Sequence, residues 1–207
     1  MPVSLKGTQT EKNLLTAFAG ESQARNRYTF FASKAKDEGY QAIAKIFLET
    51  ADHEKEHASR LFKFLEGGML EITATFPAGK IGTTLENLKA STHGENEENT
   101  DMYPKFAQIA AQEGFDAIAD IFRNIGYAER YHEARFKALA EAIENGTLFK
   151  SDTVVMWRCT NCGNWHIGTE APTVCAACLH PQGYFVSEGL ANRCDTSEGF
   201  CEYTNKD

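Results

Sequence analysis

Between residues 11 and 145 apolar side chains recur every three or four positions, the period of amphipathic helices with one face buried. Four stripes can be traced. The first reads Leu14, Phe18, Glu21, Tyr28, Phe31 and Ala35; it opens behind a Thr8-x-x-Glu11 capping box and ends near Glu38-Gly39. The second starts near Tyr40, reads Ile43, Phe47, Thr50, Glu54, His57, Leu61 and Leu65, and is expected to stop at Gly67-Gly68. Residues 68–82, with Pro77, Gly79 and Gly82, form a long connection. The third stripe follows a Thr83-x-x-Glu86 box and reads Leu88, Ser91, Glu95, Glu98, Met102, Phe106 and Ile109. The fourth runs from about Phe115 to Glu144 as Ile118, Phe122, Ile125, Glu129, His132, Phe136, Leu139 and Ile143, with Asn145-Gly146 as its terminator.

The stripes repeat at an offset of 75 residues: Tyr28 with Tyr103, Glu38-Gly39 with Glu113-Gly114, Phe47 with Phe122, Glu54 with Glu129, His57 with His132. Each half is therefore a helical hairpin, and the long connection carries the chain back across the molecule. Two hairpins and one crossover make a ferritin-like four-helix bundle, expected over residues 1–147 of a mainly α protein. The repeat drifts at Glu21, whose strict counterpart is Asn96 while the acids are Glu95 and Glu98. With Pro104 just beyond, a bulge or kink is expected there, because proline removes a backbone donor and crowds the preceding turn.

Within these stripes stand residues that belong in water: Glu21, Glu54, His57, Glu95, Glu98, Glu129 and His132. Counted from the hairpin turns, Glu21, Glu54, Glu98 and Glu129 fall within about 5 Å of one height at the α-helical rise. Five carboxylates cannot share a bundle interior unless something strongly positive sits among them. Two Glu-x-x-His pairs, Glu54 with His57 and Glu129 with His132, each give two ligands on one helix face. Carboxylate oxygen with imidazole suits iron or manganese, and two divalent ions nearly cancel five carboxylate charges. Glu56, Glu97 and His53 lie off the stripes, on faces read as solvated. Tyr28 and Tyr103 lie near the acidic layer, either as aromatic packing or with hydroxyls bonded to a metal-bound carboxylate.

The net charge of −8 and the lack of a dense Lys/Arg block argue against a nucleic-acid or anionic-membrane surface. With no apolar leader at Met1–Thr10 and no membrane-length apolar run, the chain reads as soluble and cytoplasmic. All six cysteines fall after residue 158, and four form Cys159-x-x-Cys162 and Cys175-x-x-Cys178. Two such pairs make a four-thiolate metal site in a small C-terminal β/loop module, expected over residues 148–207. Spacing alone leaves zinc and iron open; sharing a chain with a two-metal candidate favours iron, since a redox-active centre needs an electron inlet. Cys194 and Cys201 are read as idle surface thiols, with a resolving pair or weak metal site as alternatives, and His166 and His180 as polar loop residues.

Taken together, Thr16-Ala-Phe-Ala-Gly-Glu-Ser-Gln-Ala-Arg-Asn-Arg-Tyr28, Leu61-Phe-Lys-Phe-Leu-Glu-Gly-Gly68, Asp101-Met-Tyr-Pro104 and Trp157-Arg-Cys159 to Gly163 resemble the rubrerythrin family over about residues 4–188. The resemblance implies a non-haem di-iron bundle fused to a rubredoxin-like domain with one iron in a four-cysteine site. The implied activity is hydrogen peroxide reduction in oxidative-stress defence, with electrons from a reduced donor protein such as rubredoxin or an NAD(P)H-dependent reductase. It places a terminal acidic ligand on Glu21, paired third-helix glutamates on Glu95 and Glu98, bridging carboxylates on Glu54 and Glu129, and histidines on His57 and His132. It further implies that one iron exchanges His57 for Glu98 with oxidation state, and a homodimer in which each rubredoxin-like domain faces the partner's di-iron site. Ala176 stands where the family usually has proline, and the tail after Glu188 has no family counterpart. The rival readings are a ferritin-like iron-binding ferroxidase with a structural zinc ribbon, and a dimanganese catalase.

Overall fold

The computed structural model describes residues 4–192; Cys194 and Cys201 lie outside the described residues. The elements are α1 (Gln9–Asp37), α2 (Gln41–Phe62), α3 (Thr84–Glu97), a π-helical turn (Glu98–Met102), α4 (Tyr103–Gln112), α5 (Asp116–Glu144), β1 (Lys150–Cys159), β2 (Trp165–Glu170), a 3-10 turn (Gln182–Tyr184), β3 (Phe185–Ser187) and α6 (Glu188–Ala191). Helix α1 packs along α2, and α3 and α4 pack along α5, so each half is a hairpin as the repeat requires.

A repeated device ties the hairpins together. Glu38 Oε2 accepts from the Thr84 backbone N–H at 2.8 Å, and Glu113 accepts from the N–H groups of Gln9 and Thr10 at 3.0 and 2.8 Å. Each turn glutamate thus satisfies the opening N–H groups of the other hairpin's first helix, where the macrodipole is positive. Gly39 and Gly114 follow with φ of +86° and +84°, the left-handed step that ends a helix. At α3 the capping box is complete, with Thr83 and Glu86 bonded reciprocally. At α1 it is half formed: Thr8 Oγ1 accepts from Glu11 N–H, but the Glu11 carboxylate takes the Gly7 N–H.

Two expectations need adjusting. Helix α2 ends at Phe62 rather than at Gly67-Gly68, because the next residues tighten into turns that let Glu66 accept from Ser4 and Leu5 at 2.7 and 3.1 Å. The expected bulge before Pro104 is a five-residue π turn that divides the third helix in two. Pro104 has no N–H for the Thr100 carbonyl and its ring crowds that oxygen, so the ladder widens.

The core forms two clusters. One gathers Tyr28, Phe31, Phe47, Leu88, Phe136 and Leu139 toward the Gly39 end. The other gathers Leu14, Leu61, Tyr103, Ile118 and Phe122 toward the Gly114 end. On every helix the acidic layer falls between them, so apolar packing closes it above and below.

The C-terminal module is an antiparallel sheet of order β2-β1-β3. Buried Trp157 is its hub, pairing across to His166 and Ser187 and donating its indole N–H to Gly168 O at 3.0 Å. His166 therefore lies on a strand, not in a loop. The module sits on the Gly39 end of the bundle: Val186 and Ala191 cluster with Ala42, and the Lys45 ammonium donates to Thr160 O. No helix among the described residues is long and apolar enough to cross a membrane.

Gly183 is the tightest point of this junction. A Cβ there would stand 1.9 Å from the Gly39 carbonyl oxygen, a backbone atom that cannot swing aside. Gly183→Ala is expected to destabilise the metal-loaded chain by about 1–3 kcal/mol, the usual range for overpacking, read as a lowered thermal midpoint.

Candidate metal centre

Glu21, Glu54, Glu95, Glu129 and His132 are buried to within 2 % of full burial, and His57 is half-buried. They converge as two overlapping groups. Glu21, Glu54, His57 and Glu129 form one; Glu54, Glu95, Glu129 and His132 form the other, with the donor atoms of each group within 4.8 Å of one another. Glu54 and Glu129 belong to both, as the two Glu-x-x-His pairs predict. His57 Nδ1 lies 2.9 Å from Glu129 and 3.1 Å from Glu54, and His132 Nδ1 lies 2.8 Å from Glu129 and 3.2 Å from Glu54. Both histidines thus present Nδ1 to the layer.

Glu54 Oε1, Glu95 Oε2, both Glu129 oxygens and His132 Nδ1 are buried without a hydrogen-bond partner. Such atoms cost about 1–3 kcal/mol each when left unsatisfied, and more when charged. Their lone pairs face a shared space with fewer donors than acceptors, the electrostatic complement of cations. The two tyrosines supply the donors present: the Tyr28 hydroxyl donates to Glu95 Oε1 and the Tyr103 hydroxyl to Glu21 Oε1. The structure shows both features named for these residues, with the rings packed on phenylalanines and the hydroxyls on carboxylates. Gly126 makes room for one of them, since a Cβ there would lie 3.2 Å from Tyr103 Cβ.

The charges distort one another strongly. Burial and then the Glu54 charge push Glu95 up to about 8, while Glu21 is raised by burial and Glu129. Glu54 is held far below the carboxylate range; burial opposes this, but His132 and His57 outweigh it. For His57 burial disfavours the charge, yet contacts with Glu129, Glu21 and Glu54 push it up to about 12.

Glu98 stands at the start of the π turn and belongs to neither group. Burial, then the charges of Glu95, Glu21, Glu129 and Glu54, hold its carboxyl well above its ordinary value, so it remains in the field of the layer. Glu56 and Glu97 are exposed as expected, but His53 is not on a solvated face. It is half-buried, with Nδ1 3.1 Å from His132 Nε2. Its signal was available in the sequence, because Ile46, Thr50, His53 and His57 follow one another by four, three and four along one ridge. Arg135, one turn beyond His132, was also missed; fully buried, it donates to Glu49 and Thr50 at 2.7 Å each.

The four cysteines converge separately, with Cys159 and Cys178 sulfurs 3.7 Å apart and Cys162 and Cys175 sulfurs 3.8 Å apart. Four sulfurs at about 2.3 Å from one tetrahedral ion stand about 3.8 Å apart, the spacing of these two pairs. The two loops are copies: Gly163 N–H bonds Cys159 O at 2.8 Å and Leu179 N–H bonds Cys175 O at 2.9 Å. The His180 backbone N–H, foremost among several causes, holds the Cys178 thiol down at about 6.

Comparison with known proteins now adds to the geometry. Residues 12–140 match the rubrerythrin family model, and residues 157–186 match the model of the rubrerythrin rubredoxin-like domain. A rubrerythrin of Porphyromonas gingivalis is 59% identical over 89% of this chain and 92% of its own. This chain belongs to the rubrerythrin family. A solved structure of nigerythrin in a mixed-valence state shares the fold at 30% identity and TM-score 0.59, covering 89% of this chain and 91% of that one. A Desulfovibrio desulfuricans bacterioferritin shares the fold alone, at 21% identity and TM-score 0.58, over 67% of this chain and 82% of that one. As a member of the rubrerythrin family, the chain carries a carboxylate–histidine di-iron site in a ferritin-like bundle and a four-cysteine site in a rubredoxin-like domain.

Two measurements follow. Without metal, the folded chain keeps a proton on Glu95 between its ordinary 4.5 and about 8 that the unfolded chain releases. Stability from that group is full below 4.5 and declines as pH rises through about 8, and the raised His57 acts in the same direction above 6.5. Thermal midpoints of the chelated chain are therefore expected to fall across this window, while those of the iron-loaded chain stay nearly level. In the second thiolate loop Leu179 occupies the left-handed region at φ +60°, where the first loop has Gly163 at +78°. Leu179→Gly is expected to stabilise the four-cysteine module by roughly 1 kcal/mol after the entropy of glycine is subtracted, read as a higher denaturant midpoint for loss of thiolate colour.

Proposed function

We propose that this chain is a non-haem di-iron peroxidase that reduces hydrogen peroxide to water, with electrons entering through the rubredoxin-like iron. The observation that carries the reading is the pair of sites on one chain: a buried carboxylate layer with unpaired oxygens and two Glu-x-x-His pairs, and four converging cysteine sulfurs. When bound, the two irons supply Lewis acidity and the two electrons that peroxide cleavage requires.

The protein's own residues set the conditions. Glu21, Glu54, His57, Glu95, Glu129 and His132 would hold the metals, Glu54 and Glu129 belonging to both groups, with Glu98 the carboxylate that would exchange with His57. Apolar clusters above and below exclude water from the layer. Tyr28 and Tyr103 orient Glu95 and Glu21 through their hydroxyls. Each peroxide reduced to two waters takes up two protons as well as two electrons. Cys159, Cys162, Cys175 and Cys178 would hold the iron that takes electrons singly from a reduced donor protein.

The chain is proposed to work as a homodimer. Its thiolate module rests on the Gly39 turn, fifteen residues along the chain from Glu54, or about 22 Å at the helical rise. That separation within one chain favours delivery to a partner's di-iron layer, the arrangement the family resemblance implies.

Glu54→Ala and Glu129→Ala are expected to reduce peroxide turnover by about 100-fold or more while the visible spectrum of the thiolate iron survives. Full turnover in either variant would refute the shared-ligand assignment. Metal analysis separates the ferroxidase reading: iron in both sites supports the peroxidase, whereas zinc in the thiolate site with oxygen-driven iron mineralisation supports the rival.

A further inference from the structure

The two metal-facing histidines are not held alike. Both point Nδ1 into the carboxylate layer, which leaves Nε2 directed away from it. For His132 that outer nitrogen lies 3.1 Å from His53 Nδ1. The ring centroids are 5.3 Å apart and the planes differ by 14°. Two rings whose nearest nitrogens are that close while their centroids are that far apart meet edge to edge in nearly one plane. This is the geometry of an N–H···N hydrogen bond rather than of face-to-face packing.

The bond has a direction. A metal at His132 Nδ1 takes the lone pair there, so the ring carries its proton on Nε2. His132 Nε2–H then donates, and His53 accepts with the Nδ1 lone pair. The contact therefore selects the tautomer of His132 that a metal requires and fixes the tilt of its ring. The 75-residue repeat places Ala128 where His53 stands in the first hairpin, and a methyl group cannot make the equivalent bond to His57. The device is thus confined to one half of a nearly symmetric site. His53 also sits in a constrained position, on the same helix as Glu49 and Thr50, which buried Arg135 clamps at 2.7 Å each from α5.

We propose that His53 is a positioning residue for His132: it accepts the Nε2–H of that ligand and so presets one of the two metal positions for binding. The inference rests on the di-iron reading of the layer and adds to it a residue that touches neither metal. His132 is consequently the imidazole of the pair that is held through both ring nitrogens.

The test is an anaerobic titration of ferrous ion into the metal-free full-length chain, comparing wild type with His53→Leu and His53→Asn. Asparagine can place its side-chain oxygen where His53 Nδ1 lies and still accept the bond; leucine fills similar space and cannot. His53→Leu is expected to weaken one of the two carboxylate-layer sites by about 10–100-fold and leave the four-cysteine site unchanged. His53→Asn is expected to restore affinity close to wild type. Wild-type affinity for both metals in His53→Leu would overturn the proposal, and so would an Asn variant as weak as the Leu variant, since that would make packing the cause. A wild-type chain that took up no pair of ions in the layer would overturn the di-iron reading as well, which distinguishes the two failures.

Discussion

Everything in this molecule answers to one constraint: carboxylate oxygens from four helix segments face each other in a space closed by apolar side chains and lined with too few donors. Burial raises Glu21, Glu95 and Glu98, while the histidines draw Glu54 down, so the layer resolves its repulsion by holding protons it would lose in water. A pair of dications relieves the same repulsion without protons. The bundle is therefore a scaffold whose interior is more stable when something positive occupies it, and metal affinity is the counterpart of that stored cost.

The scaffold is built to keep the layer in register. Glu38 and Glu113 each cap the opposite hairpin, so the two halves cannot slide without uncovering helix N-termini. Aromatic packing around Tyr28, Phe47 and Phe136 holds one side of the layer, and Tyr103 with Phe122 holds the other. In both clusters a tyrosine serves two ends, with its ring in the apolar core and its hydroxyl on a metal-facing carboxylate. The π turn before Pro104 makes the halves unequal at this depth, and His53 makes them unequal again at the histidines. A two-metal site with inequivalent positions can give its two ions different tasks, which an exact repeat would not allow.

The thiolate module shows the same economy on a smaller scale. Two copied loops place four sulfurs at the spacing of a tetrahedral ion, and Trp157 anchors them to the sheet. Its seat against Gly39 depends on Gly183 having no side chain. The family membership shown by the comparisons accounts for both sites on one chain, and the peroxidase reading gives them a common purpose.

Periodicity and the 75-residue repeat were enough to place the helices, the crossover, the seven acidic and imidazole candidates and the four cysteines, because hydrophobic spacing and ligand spacing are local properties of the chain. A proline and a drifting repeat even located the irregular turn in the third helix. What local spacing could not decide was how side chains from different helices meet. It put His53 on a solvated face, since a ridge beside the main stripe is buried only if a neighbouring helix covers it, and α5 does. It missed Arg135 for the same reason, and it could not show that the π turn beginning at Glu98 leaves that carboxylate out of both ligand groups while His57 is in one. The sequence by itself determined which residues lie at the layer's height; the tertiary structure alone decided which atoms face one another there, because that depends on helix rotation and crossing, which are fixed by packing over the whole bundle.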